Sequence, residues 1–235
     1  MIMGKKRILL KITGEILLDS DKKLSSVIIN SVIAQIKQLL PTHQFGIVIG
    51  GGNFFRGSEY SASLGIDPAV GHQAGMLATM MNGLIIKDLF EKQEIKTELL
   101  CAIPAPGVGS PTSQQSISMA LNAHATLIFT GGTGNPFFTT DTNAVLRGLQ
   151  IGADEIWKGT KVDGVYDADP NKNLSAKLLK QVPYSYALEH HLAIMDATAF
   201  AMAQQYKQKI RVFNIFAEQA LINAAHDQQF GSIIY

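Results

Sequence analysis

Short apolar runs alternate with longer stretches of helical periodicity along most of the chain. Residues 8–10 and 45–49 are continuous apolar runs, which is typical of strands buried on both faces of a sheet. Between these two runs the apolar residues recur three to four positions apart, and this spacing predicts a helix that ends before Pro41. The apolar residues of that predicted helix are Leu24, Ile28, Val32, Ile36 and Leu39.

The same alternation continues to the end of the sequence. Further strands are predicted at residues 98–103, 127–130, 155–158, 210–215 and 232–235. Further helices are predicted at residues 70–92, 141–150, 184–190 and 198–206. Residues 104–115 are rich in proline, glycine and serine, and this composition predicts a surface loop.

This order of elements predicts an α/β fold of three layers, α/β/α, in which helices cover both faces of a mainly parallel central sheet. The 235 residues are enough for one domain of this kind, and we expect a single domain over residues 1–235. In such open sheets, ligands bind in a cleft at the carboxyl ends of the strands. The functional residues are therefore expected where predicted strands end.

The composition narrows the class of protein. A net charge of +1 argues against a broad basic surface, so we expect no nucleic-acid partner. The single cysteine, Cys101, excludes an internal disulfide and a multi-cysteine metal site, and the expected compartment is a reducing cytoplasm. The first apolar run ends at Lys11, too early for a signal-peptide core or a membrane span. We expect a soluble cytoplasmic protein.

Four of the predicted strands end in turns that combine glycine with polar residues. Glycine lets the backbone approach a ligand closely, and free N–H groups at a helix start bind anions. Ordinary strand-to-helix turns also favour glycine, but four such turns together favour a phosphate site. The four turns are Lys11-Ile12-Thr13-Gly14, Gly50-Gly51-Gly52-Asn53, Gly131-Gly132-Thr133-Gly134-Asn135 and Lys158-Gly159-Thr160-Lys161.

The usual phosphate-binding motifs are missing from this sequence. It contains no G-x-x-x-x-G-K-[ST], no G-x-G-x-x-G after the first strand, and no H-R-D or D-F-G of protein kinases. Phosphoryl transfer depends chiefly on positive charge around the moving group, and Lys11, Arg56 and Lys161 lie in or near the turns. Asp141, at a predicted helix start, is either an N-cap or a carboxylate that orients the lysines or holds magnesium through water.

The motifs of this chain resemble those of the bacterial uridylate kinases, within the amino acid kinase family. The resemblance runs from Lys6 to the ending Gly231-Ser232-Ile233-Ile234. Its most specific part is Gly132-Thr133-Gly134-Asn135-Pro136-Phe137-Phe138-Thr139-Thr140-Asp141. Further matches are Gly50-Gly51-Gly52-Asn53-Phe54-Phe55-Arg56-Gly57, Gly75-Met76-Leu77-Ala78-Thr79, Lys161-Val162-Asp163-Gly164-Val165-Tyr166-Asp167-Ala168-Asp169-Pro170, Met195-Asp196 and Arg211-Val212-Phe213-Asn214.

The resemblance implies an activity and a set of site residues. The activity is transfer of the γ-phosphoryl group of ATP to UMP by direct in-line attack, which gives ADP and UDP. The implied catalytic residues are Lys11, Arg56, Asp141 and Asp196. The implied ATP-binding residues are Lys11, Ile12, Thr13, Gly14, Gly52, Arg56, Thr160, Lys161, Tyr166 and Asp169. The implied UMP-binding residues are Gly51, His72, Thr133, Gly134, Asn135, Pro136, Phe137, Phe138, Thr139 and Thr140.

The resemblance also implies partners and a setting. It implies that Mg²⁺ accompanies ATP, with no protein metal site assigned. It implies a homohexamer, activation by GTP, inhibition by UTP, and a supply of UDP for pyrimidine nucleotide synthesis.

The sequence departs from the family pattern at two positions. Thr13 stands where the family usually has serine, and this change keeps the hydroxyl group. His72 stands where the family usually has an aspartate that contacts UMP. A neutral histidine offers one acceptor and one donor in place of two charged oxygens, so the affinity for UMP is the property most affected.

Two other functions remain open at the level of sequence. One is a sister small-molecule kinase, which the 133–141 segment disfavours. The other is a nucleotide sensor that binds UMP or UTP with little turnover, which His72 keeps open and the full set of charged residues disfavours. The sequence leaves open whether CMP or dUMP is also accepted.

Overall fold

A computed structural model describes residues 4–170, 172–173 and 175–235. Residues 1–3, 171 and 174, which the single-domain prediction includes, lie outside the described residues. The described strands are β1 (Lys6–Ile12), β2 (His43–Ile49), β3 (Thr97–Cys101), β4 (Ser110–Pro111), β5 (Thr126–Thr130), β6 (Glu155–Thr160), β7 (Val165–Tyr166), β8 (Leu178–Leu179), β9 (Gln181–Val182), β10 (Ile210–Asn214) and β11 (Ser232–Ile234). The described helices are α1 (Val27–Leu39), α2 (Gly57–Leu64), α3 (Pro68–Lys92), α4 (Gln114–Asn122), α5 (Thr140–Ile151), α6 (Tyr184–Glu189), α7 (Ala197–Gln205) and α8 (Ala220–His226), with a 3-10 helix at Gly14–Leu17.

Nine of the described strands form one sheet in the order β4-β3-β5-β2-β1-β6-β10-β11-β9. Every pair of neighbours in this sheet is parallel except β10 and β11. The remaining strands, β7 and β8, pair with each other in an antiparallel ribbon. The predicted α/β fold with a mainly parallel central sheet is therefore confirmed.

Strand β1 lies in the middle of the sheet and is buried on both faces. Ile8, Leu10 and Ile12 belong to one hydrophobic core, and Leu9 between them belongs to the other. The first core also contains residues of α1, α3 and α8, and the second contains residues of α4, α5, α6 and α7. A strand covered on both faces has a continuous apolar sequence, which is why β1 could be predicted from the sequence.

Helix α1 begins later than its apolar spacing predicts. Leu24 is exposed and forms an isolated antiparallel bridge with Leu18, so the inclusion of Leu24 in the helix is wrong. The predicted loop at residues 104–115 is interrupted by β4 and by the start of α4. The capping box of α4 is built from Ser113 and Ser116. Serine is also common in loops, so the sequence of this stretch does not distinguish a helix start from a loop.

Each helix in the described part of the chain is too short or too polar to cross a lipid bilayer.

Candidate active site

The four glycine turns come together at one edge of the sheet. They lie at the carboxyl ends of β1, β2, β5 and β6, which are contiguous and parallel in the order β5-β2-β1-β6. The fourth is mostly strand and not turn as predicted, because β6 continues to Thr160 and only Lys161 follows it. Parallel neighbours present their carboxyl ends on the same side, so the turns form a continuous row. The predicted position of the cleft agrees with this arrangement.

A charged centre of three residues, Lys11, Asp141 and Lys158, lies at the middle of this row. The Nζ atom of Lys11 is 2.9 Å from Oδ1 of Asp141, and the Nζ atom of Lys158 is 2.6 Å from Oδ2. Lys158 also donates a hydrogen bond of 2.5 Å to the carbonyl oxygen of Ile194. Lys11 and Lys158 are register partners on β1 and β6, which explains how residues so distant in sequence share one carboxylate.

Electrostatics keep the charged centre ionised and positive. Burial acts to raise the pKa of Asp141, but the ammonium groups of Lys11 and Lys158 together outweigh burial, so this pKa lies below its ordinary value. Burial lowers the pKa of Lys158, although Asp141 opposes this shift. Two ammonium groups share one carboxylate, so the centre attracts an anion.

Asp141 reaches the centre because the start of α5 is firmly capped. The N-cap of α5 is Thr139, whose hydroxyl accepts hydrogen bonds from the backbone N–H groups of Asp141 and Thr142. The alternative that Asp141 is itself the N-cap is therefore wrong. Asp196 in turn accepts hydrogen bonds from the hydroxyl groups of Thr139 (2.5 Å) and Thr142 (2.9 Å) and from the N–H of Ala199. Asp196 therefore joins the start of α7 to the start of α5.

The second turn is tied to α3 by a pair of asparagines, and the first turn packs against one of them. Asn53 and Asn82 exchange two side-chain hydrogen bonds of 2.9 and 2.7 Å, and Asn82 also donates to the carbonyl oxygen of Gly50. A Cβ atom on Gly14 would collide with Oδ1 of Asn53, so the first turn requires glycine there. A Cβ atom on Gly52 would meet nothing closer than 3.7 Å, so its backbone lies open to the cleft.

The third turn is held from two sides. Gly131, Gly132 and Gly134 have φ angles of +74°, +58° and +85°, a region that favours glycine. The N–H of Gly131 donates to the buried hydroxyl of Thr79 on α3, and Arg147 on α5 donates to the carbonyl oxygen of Gly132. Arg147 was not among the predicted site residues, and nothing in its local sequence distinguishes it from a surface cation.

The segment 133–140, predicted to hold UMP, is largely exposed. Phe137 has a φ angle of +69° and is 65% exposed, and its ring lies 5.1 Å from the ring of His72 between their centroids. Phe138 is also exposed, and the N–H of Asn135 donates to the hydroxyl of Thr133. The structure thus brings together His72 and the segment 133–140, both of which the resemblance assigns to UMP binding.

A cavity of about 470 Å³, which we name the β6 cavity, opens beside the charged centre. Thr160, Tyr166 and Asp169, predicted to hold the nucleoside part of ATP, all line it, as does Lys158. A second cavity of about 360 Å³, which we name the α5 cavity, is lined by Thr140 and by the charged centre of Lys11, Asp141 and Lys158. Lys158 and Ile194 line both cavities. Lys158 therefore stands at the junction of the two cavities.

Three predicted residues are placed differently from the rest. The side chain of Ile12 is buried in the core, so only its backbone can face a ligand. A Cβ atom on Gly51 would lie 2.8 Å from the carbonyl oxygen of Gly75, so packing against α3 accounts for this glycine. Lys161 does not line the β6 cavity; it forms a close ion pair with Glu15, which also binds Arg56 at 3.1 Å.

The profile of the amino acid kinase family matches residues 6–214 of this chain. The uridylate kinase of Mycoplasma pneumoniae is 43% identical over 225 residues, which cover 94% of this chain and 95% of that protein. The uridylate kinase of Psychromonas ingrahamii is 42% identical over 231 residues, which cover 97% of this chain and 92% of that protein. The crystal structure of the UMP kinase from Ureaplasma parvum superposes with a TM-score of 0.94 at 33% identity and covers 99% of both chains.

The chain therefore belongs to the amino acid kinase family, and it is a phosphotransferase. Its sequence relatives and its fold place it, within that family, among the bacterial uridylate kinases. The resemblance drawn from the motifs is confirmed, and neither the sister kinase nor the nucleotide sensor is favoured.

Proposed function

We propose that this enzyme transfers the γ-phosphoryl group of MgATP to UMP. The observation that carries the proposal is the charged centre of Lys11, Asp141 and Lys158. This centre lies at the row of glycine turns, next to the β6 cavity and at the start of α5, directly after the segment 133–140. Likeness to the uridylate kinases of two bacteria at 42–43% identity supports uridylate as the acceptor.

The β6 cavity takes the donor nucleotide in this proposal. Thr160, Tyr166 and Asp169 line it and bind the nucleoside part of ATP, as the resemblance implies. The phosphates extend from this cavity past Lys158 towards the turns after β1 and β2. There the backbone of Thr13, Gly14 and Gly52 faces them, and Lys11 contacts the transferred group.

The acceptor lies on the other side of the charged centre. Gly51, His72 and the eight residues 133–140 bind UMP. Arg56, which the resemblance assigns to the ATP phosphates, lies near the point of transfer and so also near the phosphate of UMP. The N–H groups of Gly131 and Gly134 are used within the protein, by the hydroxyl of Thr79 and the carbonyl oxygen of Gly131, so the side chains of the segment make much of the proposed contact with UMP. The contact between His72 and Phe137 sets the position of the segment.

The reaction needs no covalent enzyme intermediate. A phosphate oxygen of UMP forms a bond to the γ-phosphorus, the bond from that phosphorus to the β,γ-bridging oxygen breaks, and ADP leaves with the electron pair. Lys11 and Lys158 stabilise the negative charge that spreads over the transferred group and the leaving oxygen. Asp141 holds both ammonium groups at the reacting position, and Asp196 holds Asp141 through Thr139.

Mg²⁺ enters this site as part of the nucleotide substrate. Across residues 4–170, 172–173 and 175–235, His, Cys, Asp and Glu side chains form no group of three suited to a metal ion. Both oxygens of Asp141 contact lysines, and Asp196 already accepts hydrogen bonds from three donors. When bound together with ATP, the ion would neutralise part of the phosphate charge beside Lys11 and Lys158.

The remaining features of the proposal rest on family likeness. We place the enzyme in the cytoplasm as one domain over residues 1–235 that assembles into a homohexamer. GTP activates it and UTP inhibits it, and its UDP supplies pyrimidine nucleotide synthesis.

The test is an assay that couples ADP release to a spectroscopic signal, with MgATP and either UMP, CMP, dUMP, acetylglutamate, carbamate or no acceptor. Turnover with UMP well above that with acetylglutamate, carbamate or water is expected. Equal or greater turnover with acetylglutamate or carbamate would overturn the proposal, as would tight UMP binding without turnover. Repeating the assay with EDTA and then with added Mg²⁺ tests the metal requirement.

A further inference from the structure

Glu15 contacts two cations that belong to opposite sides of the cleft. Oε1 of Glu15 lies 3.1 Å from Nη2 of Arg56, the residue that precedes α2. Oε2 forms a close ion pair with Nζ of Lys161, which follows β6. Each carboxylate oxygen therefore holds one cation, one from the second turn and one from the fourth.

The backbone of Glu15 is anchored where this link begins. Gly14 packs against Asn53, and the N–H of Glu15 donates a hydrogen bond of 3.3 Å to the hydroxyl of Thr13. Glu15 lies in the first turn of the 3-10 helix, directly after the glycine that closes the phosphate-facing turn. Its carboxylate therefore occupies a defined place beside the path proposed for the phosphates.

The two ion pairs are suited to exchange. The side chain of Glu15 is 26% exposed, whereas those of Arg56 and Lys161 are 53% and 62% exposed. Ion pairs between exposed cations and a carboxylate contribute little free energy, because solvent screens them. A polyphosphate brings more negative charge than one carboxylate, so it can take over both cations at small cost.

We propose that Glu15 is a positioning residue that holds Arg56 and Lys161 beside the phosphate path until the phosphates of the two substrates replace it. This inference rests on the proposed function of the same site. Glu15 competes with the phosphates for the cations and so weakens the binding of MgATP. It also keeps one cation from the acceptor side and one from the donor side in place for transfer, and so raises turnover.

The variant Glu15→Gln separates these two effects, because it keeps the shape of the side chain and removes its charge. We expect tighter binding of MgATP, by roughly 2- to 5-fold, since a weak competing ion pair is lost. We expect turnover at saturating UMP to fall by roughly 10-fold, since misplaced groups cost rate even when binding is retained. A merely structural residue would not move affinity and turnover in opposite directions.

The experiment measures MgATP binding by calorimetry in the absence of acceptor, and steady-state turnover with UMP, for the wild type, Glu15→Gln and three further variants. Glu15→Asp keeps the charge but shortens its reach, and we expect lower turnover without tighter MgATP binding. Glu91→Gln is the matched control, because it removes an exposed ion pair with Lys87 on α3, and both measurements should equal those of the wild type. The third, Lys161→Gln, removes one of the two cations and should weaken MgATP binding.

Unchanged MgATP affinity and turnover in Glu15→Gln would overturn the inference, and so would weaker binding with lower turnover. The binding arm needs no acceptor, so it tests Glu15 even if UMP is not phosphorylated. A wild type without UMP-dependent ADP release would instead overturn the proposed function. Thermal melting of each variant identifies loss of the fold, and Glu15→Asp carries the test if Glu15→Gln does not fold.

Discussion

The proposed donor side of the cleft is anchored in buried strands, whereas the proposed acceptor side depends on an exposed glycine-rich segment. Lys11 and Lys158 extend from adjacent strands at the centre of the sheet, and their side chains are only 16% and 12% exposed. Phe137, in the acceptor segment, is 65% exposed and has a positive φ angle. The charged centre proposed to move the phosphoryl group is thus held by the fold, while the segment proposed to recognise the acceptor depends on a few contacts to α3 and α5.

The largest expected effect comes from removing charge on the donor side. We expect Lys11→Ala to lower kcat by about 10²–10³-fold, because one charge-stabilising donor is lost from the transition state. The overall fold should survive, since Lys11 is partly exposed at the end of β1. Steady-state assays with circular dichroism of the same sample check this result, and unchanged turnover would refute the role of Lys11.

The next effect comes from the contact that secures the acceptor side to α3. Thr79→Val removes the hydroxyl that accepts from the N–H of Gly131, and it leaves a buried donor without a partner. We expect a loss of about 1–3 kcal/mol in the free energy of unfolding and a higher KM for UMP. Urea unfolding and acceptor titrations measure the two.

Thr126→Val is the matched control for that prediction. Thr126 is as deeply buried as Thr79, but its hydroxyl has no hydrogen-bond partner among the described residues, so its removal should cost little. An equal loss of stability in both variants would mean that the hydrogen bond to Gly131 is not what Thr79 contributes.

A smaller effect is expected at His72. His72→Asp introduces the carboxylate that the family usually carries there, and we expect the KM for UMP to fall by roughly 5-fold, the equivalent of about 1 kcal/mol for one gained hydrogen bond. kcat should change little, because His72 contacts Phe137 and not the charged centre. A higher KM would show instead that the ring contact with Phe137 is the more valuable interaction in this chain.

The smallest effect at neutral pH, visible only in alkali, concerns Lys158. Burial lowers the pKa of Lys158 from the ordinary lysine value of 10.5, so its ammonium group loses its proton, and its positive charge, at a lower pH than a solvated lysine. kcat/KM for MgATP, which reports the free enzyme, should therefore fall as pH rises, with a midpoint below 10.5. In Lys158→Arg the guanidinium group stays charged, so the loss of activity at alkaline pH should move to higher pH. If the pH profile of this variant equals that of the wild type, a group other than Lys158 causes the loss.

The sequence predicted the sheet better than its connections. β1 and β2 could be predicted because strands covered on both faces are continuously apolar. The four turns could be predicted because glycine is favoured where the backbone turns tightly or approaches a ligand. α2, α4 and α8 were not predicted, since short helices with small and polar residues carry little periodicity. Leu24 matched the helical spacing but forms a β-bridge with Leu18 instead. The spacing of apolar residues carries no information about such a bridge.

The site was predicted where a motif marked it and missed where only the fold creates it. Lys158 lay in one of the quoted turns, yet its pairing with Asp141 depends on the register between β1 and β6. Arg147 and Thr79 support the third turn from two different helices. Both residues are distant from the turn in sequence, so only the fold brings them into contact with it. Glu15 followed a recognised turn, but its link between Arg56 and Lys161 required the positions of three elements.

The order of the strands has a further consequence for how the chain acquires its binding ability. Lys11 and Lys158 become neighbours only after β1 has paired with β6 across most of the sequence, and pairings of that separation are slow to form. A partly folded chain, or a fragment that has lost either strand, lacks the charged centre altogether. Nucleotide binding should therefore select completed molecules and shift the folding equilibrium towards them, so that the substrate acts as a late stabiliser of its own enzyme.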